Sequence, residues 1–462
     1  MTTTYERTLD CPVSADELFA WHARPGAFQR LLPPWEKVRL IGPTAEIERG
    51  ERQELEMAIG PFSKRWVAEI KEVEPGAGFR DVQLSGPFAK WEHHHGMEAR
   101  GDGASRLRDT VEYAIPAGGL GRAVAGGYVG KEIDRLFAYR HRITARDLRR
   151  HAEAGDVRLK VLVTGSTGLV GTALCAFLES GGHEVRRMVR SDPRKAGEFR
   201  WNPARGEFDR RALKGVDAVV HLAGENVGEP RWSEERKRRI LDSRVQGTSL
   251  IAREIGLCKD GPKTLVQASA VGIYGDRGDE ELTETSSHGS DFLADVCEQW
   301  ERASEGIPGV RRVQLRFGVV LTPAGGALAR MLPPFRAGAG GPIGSGRQWM
   351  SWIAIDDAVA AIHRALWDAR LEGPVNAVAP EPVRNADFGK RLGAVLKRPA
   401  VLPLPAIAAR AAFGEVADAL LLASQRVLPT KLTACGFRFD EPELEGALRH
   451  LLGAKLAARQ PA

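Results

Sequence analysis

Cysteine is scarce and scattered in this chain of 462 residues. The five present, Cys11, Cys175, Cys258, Cys297 and Cys435, are odd in number, and none forms a CxxC pair. That argues against a disulfide framework or a cysteine zinc site and fits a reducing compartment. Long hydrophobic runs are missing as well, so no membrane span is expected. The opening residues, MTTTYERTLDCP, are polar and carry no secretory pattern. The expected location is the cytoplasm. Neither sign of charge dominates: 66 Lys and Arg against 60 Asp and Glu leave a formal charge of +6. The densest basic clusters, Arg140 to Arg150 and Arg236 to Arg239, sit in helical patterns with acids interleaved. They read as solvated helix faces, and no nucleic-acid partner is expected. Tyrosine is rare too: after residue 158 only Tyr274 remains, and no lysine lies between Lys263 and Lys390.

Glycine, by contrast, is concentrated where it matters. Arg158 to Gly171 reads RLKVLVTGSTGLVG, an apolar run leading into Gly165, Gly168 and Gly171, followed by the amphipathic run Leu169 to Ser180. This is the pattern of a buried strand, a tight turn and a helix. Gly165 permits the turn, Gly168 lets backbone approach a pyrophosphate, and Gly171 lets helix pack against strand. The helix start adds unpaired N–H groups and the positive end of a dipole. Gly165, Thr167, Gly168, Leu169, Val170 and Gly171 are therefore candidate nucleotide contacts. A second strand, His183 to Val189, ends at Arg190. A carboxylate at that place binds a ribose hydroxyl, whereas an arginine pairs with a 2′-phosphate, so NADP is expected over NAD. Asp192, two residues on, argues the other way. A third strand ends at Leu222 and Ala223, which should line the nucleotide.

Strands and helices alternate from Arg158 onward, which predicts a doubly wound parallel sheet. Residues 1–151 read differently: a strand, a capping-box helix opened by Ser14, a short helix from Pro25 to Leu32, a series of alternating strands and a long helix over 121–151. Residues 152–157, AEAGDV, are the expected linker. His93-His94-His95 on a strand suggests metal at first sight. Successive strand side chains point to opposite faces, so three in a row cannot chelate together. An exposed edge and no metal are expected.

The order of elements in residues 1–151, together with FQRLLPPW (Phe28 to Trp35), resembles the START-like helix-grip fold of polyketide cyclases and lipid-transfer domains. That resemblance implies an apolar cavity and a hydrophobic ligand. From residue 158 on, TGSTGLVG, DAVVHLAGENV, SRVQGT, QASAVGIYGD, SDFLADVCEQWE, LRFGVVL and MLPPFRAGAGGPIGSGRQWMSWIAIDD resemble the extended short-chain dehydrogenase/reductases, most closely the NAD-dependent epimerase/dehydratase branch. The tail resembles the C-terminal domain of that branch. The implied architecture is an α+β helix-grip domain (1–151), an α/β Rossmann domain binding NADP (158–395) and a small helical C-terminal domain covering the substrate cleft (396–455).

Enzymes of that superfamily pair a tyrosine with a lysine four residues later, whose charge lowers the phenol pKa for proton exchange during hydride transfer. Aligned on that pattern, this chain has Leu293 and Cys297 instead, Arg244 where an asparagine is usual, and Ser269 one residue from the usual serine. The resemblance therefore leaves Tyr274 and Ser269 as catalytic candidates and Arg244 as a candidate contact to pyrophosphate or ribose. Glu225 and Asn226 are possible acid or hydrogen-bonding groups, or loop caps, and Cys297 is a weak candidate nucleophile. Trp349 and Trp352 offer flat surface to a substrate or to the core, and Asp356 suits a helix N-cap. The expected function is an NADP(H)-binding oxidoreductase or epimerase-like protein acting on a small, apolar molecule. The alternative is a sensor or ligand-presenting protein that holds NADP(H) without turnover.

Overall fold

The computed structural model describes residues 2–59, 62–101, 103–116, 118–229 and 231–455. Its contacts divide the chain into two units, Met1–Arg158 with Ala176–His183, and Leu159–Cys175 with Glu184–Ala462.

In the first unit, strict alternation of apolar and polar side chains makes strands with one buried face. β7 (Ser105–Ala114) buries every second residue, and β1 (Thr3–Cys11) alternates half-buried with exposed ones, ending in the buried Cys11. They join β6 (Lys90–Ala99), β5 (Gly78–Ser85), β4 (Phe62–Glu74), β3 (Arg52–Ile59) and β2 (Val38–Ile41) in one antiparallel sheet of seven strands, in that order. Helix α1 (Ala15–Ala23) starts where Ser14 accepts a hydrogen bond from the Glu17 N–H, as the capping box requires. After the short α2 (Ala27–Arg30) and the strands, α3 (Gly118–Glu153) lies against the sheet. Ile133 and Phe137 of this helix pack on Trp91, Val111 and Tyr113 of the sheet.

In the second unit the strands are short and apolar on both faces, as a sheet covered by helices demands. β8 (Lys160–Thr164), α4 (Leu169–Ser180), β9 (Glu184–Val189), β10 (Glu198–Asn202), β11 (Glu207–Phe208), β12 (Ala218–His221), α5 (Glu234–Leu257), β13 (Thr264–Ala270) and α6 (Phe292–Arg302) follow in order. With Arg311–Phe317 and Gly373–Ala377 they form a sheet of eight strands, ordered β11-β10-β9-β8-β12-β13 and then those two. All pairs are parallel except the β11 edge. Helix Ala406–Phe413 leads to a strand, Arg426–Val427, that pairs with Glu281–Leu282, and then to helices Thr430–Ala434 and Leu444–Leu452. Leu444, Ala447, Leu448 and Leu451 join the core of Asn385–Leu396 through Phe388 and Leu392. Among the described residues, no helix is long and apolar enough to cross a membrane.

Candidate functional site

β8 lies between β9 and β12, so the chain leaves it toward opposite halves of the sheet. Such a switch point opens a crevice at the carboxyl ends of the strands. The glycine loop sits there. Gly165 has φ +67°, and a Cβ on it would lie 2.8 Å from Ala223 N and from the Leu222 carbonyl carbon. Gly171 lets α4 start against the loop: its Cβ would come within 2.1 Å of Gly165 O. At Gly168 only Gly165 O, at 3.2 Å, is near the Cβ position, so this side of the loop is open. Thr167 and Gly168 are exposed, while Leu169 and Val170 are half-buried. The loop thus brings together Gly165, Gly171, Leu222 and Ala223 by backbone contact and leaves the first amides of α4 without helical partners. The donor set suits a pyrophosphate.

Arg190 follows the end of β9 and is exposed. Among the described residues it makes no hydrogen bond or ion pair. Asp192, the residue that argued for NAD, is occupied by Arg200 at 2.6 Å. Arg244 projects from α5 toward the tip of β12. Its guanidinium would be 3.3 Å from a Cβ on Gly224, it lies 4.9 Å above the Trp300 ring, and its one hydrogen bond among the described residues goes to Ile240 O at 3.1 Å. Most of its donors are therefore available at the strand tip. Beneath the loop, the buried Thr164 has its Oγ1 2.6 Å from His221 Nδ1. Burial pulls the His221 pKa down to about 3, which keeps this ring neutral.

Both catalytic candidates, Tyr274 and Ser269, lie buried in the protein. Tyr274 is fully buried. Its hydroxyl donates to Asn376 Oδ1 at 2.6 Å and accepts from Arg316 Nη1 at 2.9 Å. Burial raises its pKa, and the Arg316 charge only partly offsets this. Ser269, also buried, donates to Glu301 Oε1 at 2.6 Å. Arg316 grips Glu301 through two bonds of 2.8 Å. The two residues thus belong to an internal polar network linking β13, α6 and the neighbouring strand Arg311–Phe317. The sequence reading missed this network. Its one signal was a charged Arg316 inside the otherwise apolar LRFGVVL, matched by Glu301 on the facing helix.

Leu293 and Cys297 are buried against Gly272, whose Cβ would lie 3.5 Å from Leu293 Cβ and 3.9 Å from Cys297 Sγ. Burial pushes the Cys297 thiol up to about 12, so it is no nucleophile at neutral pH. Glu225 is paired with Arg236 at 2.5 Å, and Asn226 Oδ1 caps the Gly228 N–H at 2.9 Å. Trp352 is core, with its indole N–H donated to Glu381 O at 2.8 Å. Trp349 is flanked by the guanidinium groups of Arg384 and Arg426, 4.2 and 4.8 Å from the ring. Asp356 is not an N-cap: Ala354 holds that position, and Asp356 lies 3.1 Å from His450 Nε2. The tail reaches the loop beyond β12, where Arg231 donates to Ala411 O at 3.0 Å, and the start of α5, where Lys237 meets Glu415 at 2.5 Å.

The first unit holds a cavity of about 400 Å³. Phe28, Leu31, Ile47, Ile70 and Phe79 give it apolar walls, but His22, Asp81, His95 and Arg140 also line it. This corrects the reading of the histidine triplet as an exposed edge. His93 and His95 are buried and only His94 is exposed, because residues two apart share one face of a strand.

Comparison with known proteins agrees with this architecture. Residues 161–377 match the family model of the NAD dependent epimerase/dehydratase family, residues 404–451 match a domain of unknown function, and residues 11–138 match polyketide cyclase / dehydrase and lipid transport. An epimerase family protein of Mycobacterium bovis is 46% identical over 290 residues, which are 62% of this chain and 96% of that protein. The crystal structure of a nucleoside-diphosphate sugar epimerase from Corynebacterium glutamicum is 35% identical, with a TM-score of 0.79 over 99% of this chain and 91% of that one. The human epimerase family protein SDR39U1 (isoform 2), solved with NADPH, is 38% identical, with a TM-score of 0.59 over 64% of this chain and 99% of that one.

Proposed function

The chain belongs to the NAD dependent epimerase/dehydratase family, and on that premise we propose that its second unit binds NADP(H) and acts as an oxidoreductase or epimerase on a small molecule without a Tyr–Lys proton relay. The observation that carries the cofactor choice is Arg190, exposed just past the end of β9 and without a partner among the described residues, while Asp192 is tied to Arg200. Its planar fork suits a 2′-phosphate. Gly165, Thr167, Gly168, Leu169, Val170 and Gly171 cradle the pyrophosphate, Leu222 and Ala223 line the strand tip, and Arg244 offers its free donors to ribose or pyrophosphate. The relative solved with NADPH supports the same choice. When bound, the cofactor supplies hydride; the protein's part is to hold and orient it. The tail, anchored on the loop after β12 through Arg231 and on the start of α5 through Lys237, closes the substrate side. The first unit binds a hydrophobic molecule in its cavity, as its match to lipid-transport domains supports.

The burial of Tyr274 and Ser269 favours a second reading, in which the protein holds NADP(H) as a sensor. Following NADPH absorbance with a panel of ketones, enones and sugar nucleotides separates the two. Consumption with any of them supports the enzyme. Tight NADPH binding with no consumption supports the sensor. Failure to bind NADPH overturns both.

A further inference from the structure

We propose that the first unit contains a zinc site, made by Asp81, His93 and His95, that opens into its cavity. Asp81 and His93 are directly paired across β5 and β6, and His95 lies two residues further on the same face of β6. Each of the three offers one ligand atom, and these atoms all lie within 4.8 Å of one another. Asp81 Oδ2 is 3.6 Å from His93 Nδ1 and 3.3 Å from His95 Nε2. Zinc bonds of about 2.0–2.1 Å at tetrahedral angles require ligand atoms about 3.3–3.5 Å apart; the His95 separation falls in that range and the His93 separation is about 0.1 Å longer, a small side-chain adjustment away.

The opposite side of the His93 ring is held as a metal ligand's should be, and that of the His95 ring lies close to the same carboxylate. His93 Nε2 donates to Asp109 Oδ1 at 3.0 Å, and His95 Nδ1 lies 3.0 Å from the same oxygen. His141 Nε2 donates to the other oxygen of Asp109 at 2.6 Å, which fixes the carboxylate in turn. A carboxylate behind a ligating imidazole sets its tautomer and its direction. With its Nε2 proton given to Asp109, His93 presents a bare Nδ1 lone pair to a carboxylate oxygen of Asp81. Two acceptors so placed repel one another unless a cation or proton lies between them. Charge points the same way: Asp81 and Asp109 bring two carboxylates to this end of the cavity against the single guanidinium of Arg140, and a divalent cation reverses the imbalance. Asp81 and His95 also line the cavity, so the fourth coordination position faces it. Three protein ligands with one open position make a zinc ion that can take a water molecule or an oxygen or nitrogen of a cavity ligand.

The test uses the full chain, stripped with a chelator and dialysed. Zinc is titrated in competition with a chromophoric chelator, and cobalt(II) replaces it for spectroscopy. The expected result is tight zinc binding and the intense visible bands of tetrahedral cobalt. Both should be lost in His93→Ala and His95→Ala and kept in His94→Ala, whose side chain is on the exposed face. Asp109→Asn should weaken zinc binding by about 10–100-fold while leaving the tetrahedral spectrum recognisable. Far-UV circular dichroism shows which variants fold. The wild-type cobalt spectrum bears on the site without any variant. Wild-type protein that takes up neither metal, or folded His93→Ala and His95→Ala variants that bind zinc as wild type does, would overturn the proposal.

Discussion

Tyr274→Phe decides whether this tyrosine serves the reaction or the fold. The phenol oxygen is buried, donates to Asn376 Oδ1 at 2.6 Å and accepts from Arg316 Nη1 at 2.9 Å. Removing it leaves an amide oxygen without its donor and one N–H of a buried guanidinium without its acceptor. Each such loss costs about 1–3 kcal/mol, the larger values belonging to the charged group. Asn376 keeps a second bond, from Nδ2 to Leu428 O at 3.0 Å, and Arg316 keeps Glu301, so the rest of the network limits the damage. A total of about 2–4 kcal/mol follows. For a unit of this size each kcal/mol lowers the melting temperature by about 2–4 °C, so the transition of the second unit should fall by about 4–16 °C. The assay is thermal denaturation with and without NADPH, together with NADPH titration. The dissociation constant for NADPH should stay within about twofold of wild type, since Tyr274 does not line the loop. An unchanged melting temperature combined with loss of turnover on any substrate found would refute the structural assignment and return Tyr274 to catalysis.

Two glycines should respond differently to alanine. Gly171→Ala puts a Cβ within 2.1 Å of Gly165 O, so it should destabilise the fold by about 1–3 kcal/mol and weaken the nucleotide; Gly168→Ala meets only one atom at 3.2 Å and should leave the melting temperature nearly unchanged while weakening NADPH. Calorimetry on both proteins with and without NADPH checks the contrast. His221 supplies a pH test. Burial holds it neutral down to about pH 3, so it takes up its proton on unfolding. Its contribution is fully present above the unfolded histidine pKa of about 6.5 and is lost as pH falls from there toward 3. Urea denaturation between pH 6.5 and 5 should show a slope shallower by up to about 1.4 kcal/mol per pH unit in His221→Asn than in wild type. Equal slopes would show that the ring is not held neutral.

The second unit's architecture was legible because its signals are local. The apolar run before Gly165 and the glycine spacing each stand within a few residues, and the structure forms β8, the turn and α4 from them. The burial of the catalytic candidates was not legible, because side-chain burial is not local. Tyr274 follows a strand tip in the sequence, but Arg316 and Asn376, both on strands far along the chain, reach over and enclose it. His93 and His95 were misread for a simpler reason. The two-residue period of a strand separates neighbours but unites alternate residues, and only the second half of that rule predicts the buried pair. The tail was read as helices because Arg426–Val427 is too short to announce a strand; its pairing partner, Glu281–Leu282, lies far back in the chain.

The most direct test of the account is the cofactor preference of Arg190→Ala. Hydrogen bonds to a charged group contribute about 1.5–3 kcal/mol, which at 1.4 kcal/mol per decade is about a ten- to hundredfold change in Kd. Titration of NADPH and NADH into wild type and variant should show NADPH weakened by that factor with NADH unchanged, while Arg244→Met, which faces the part common to both, should weaken the two alike. An Arg190→Ala protein that binds NADPH as wild type does, or loses both cofactors equally, would contradict the assignment of NADP(H) to this crevice.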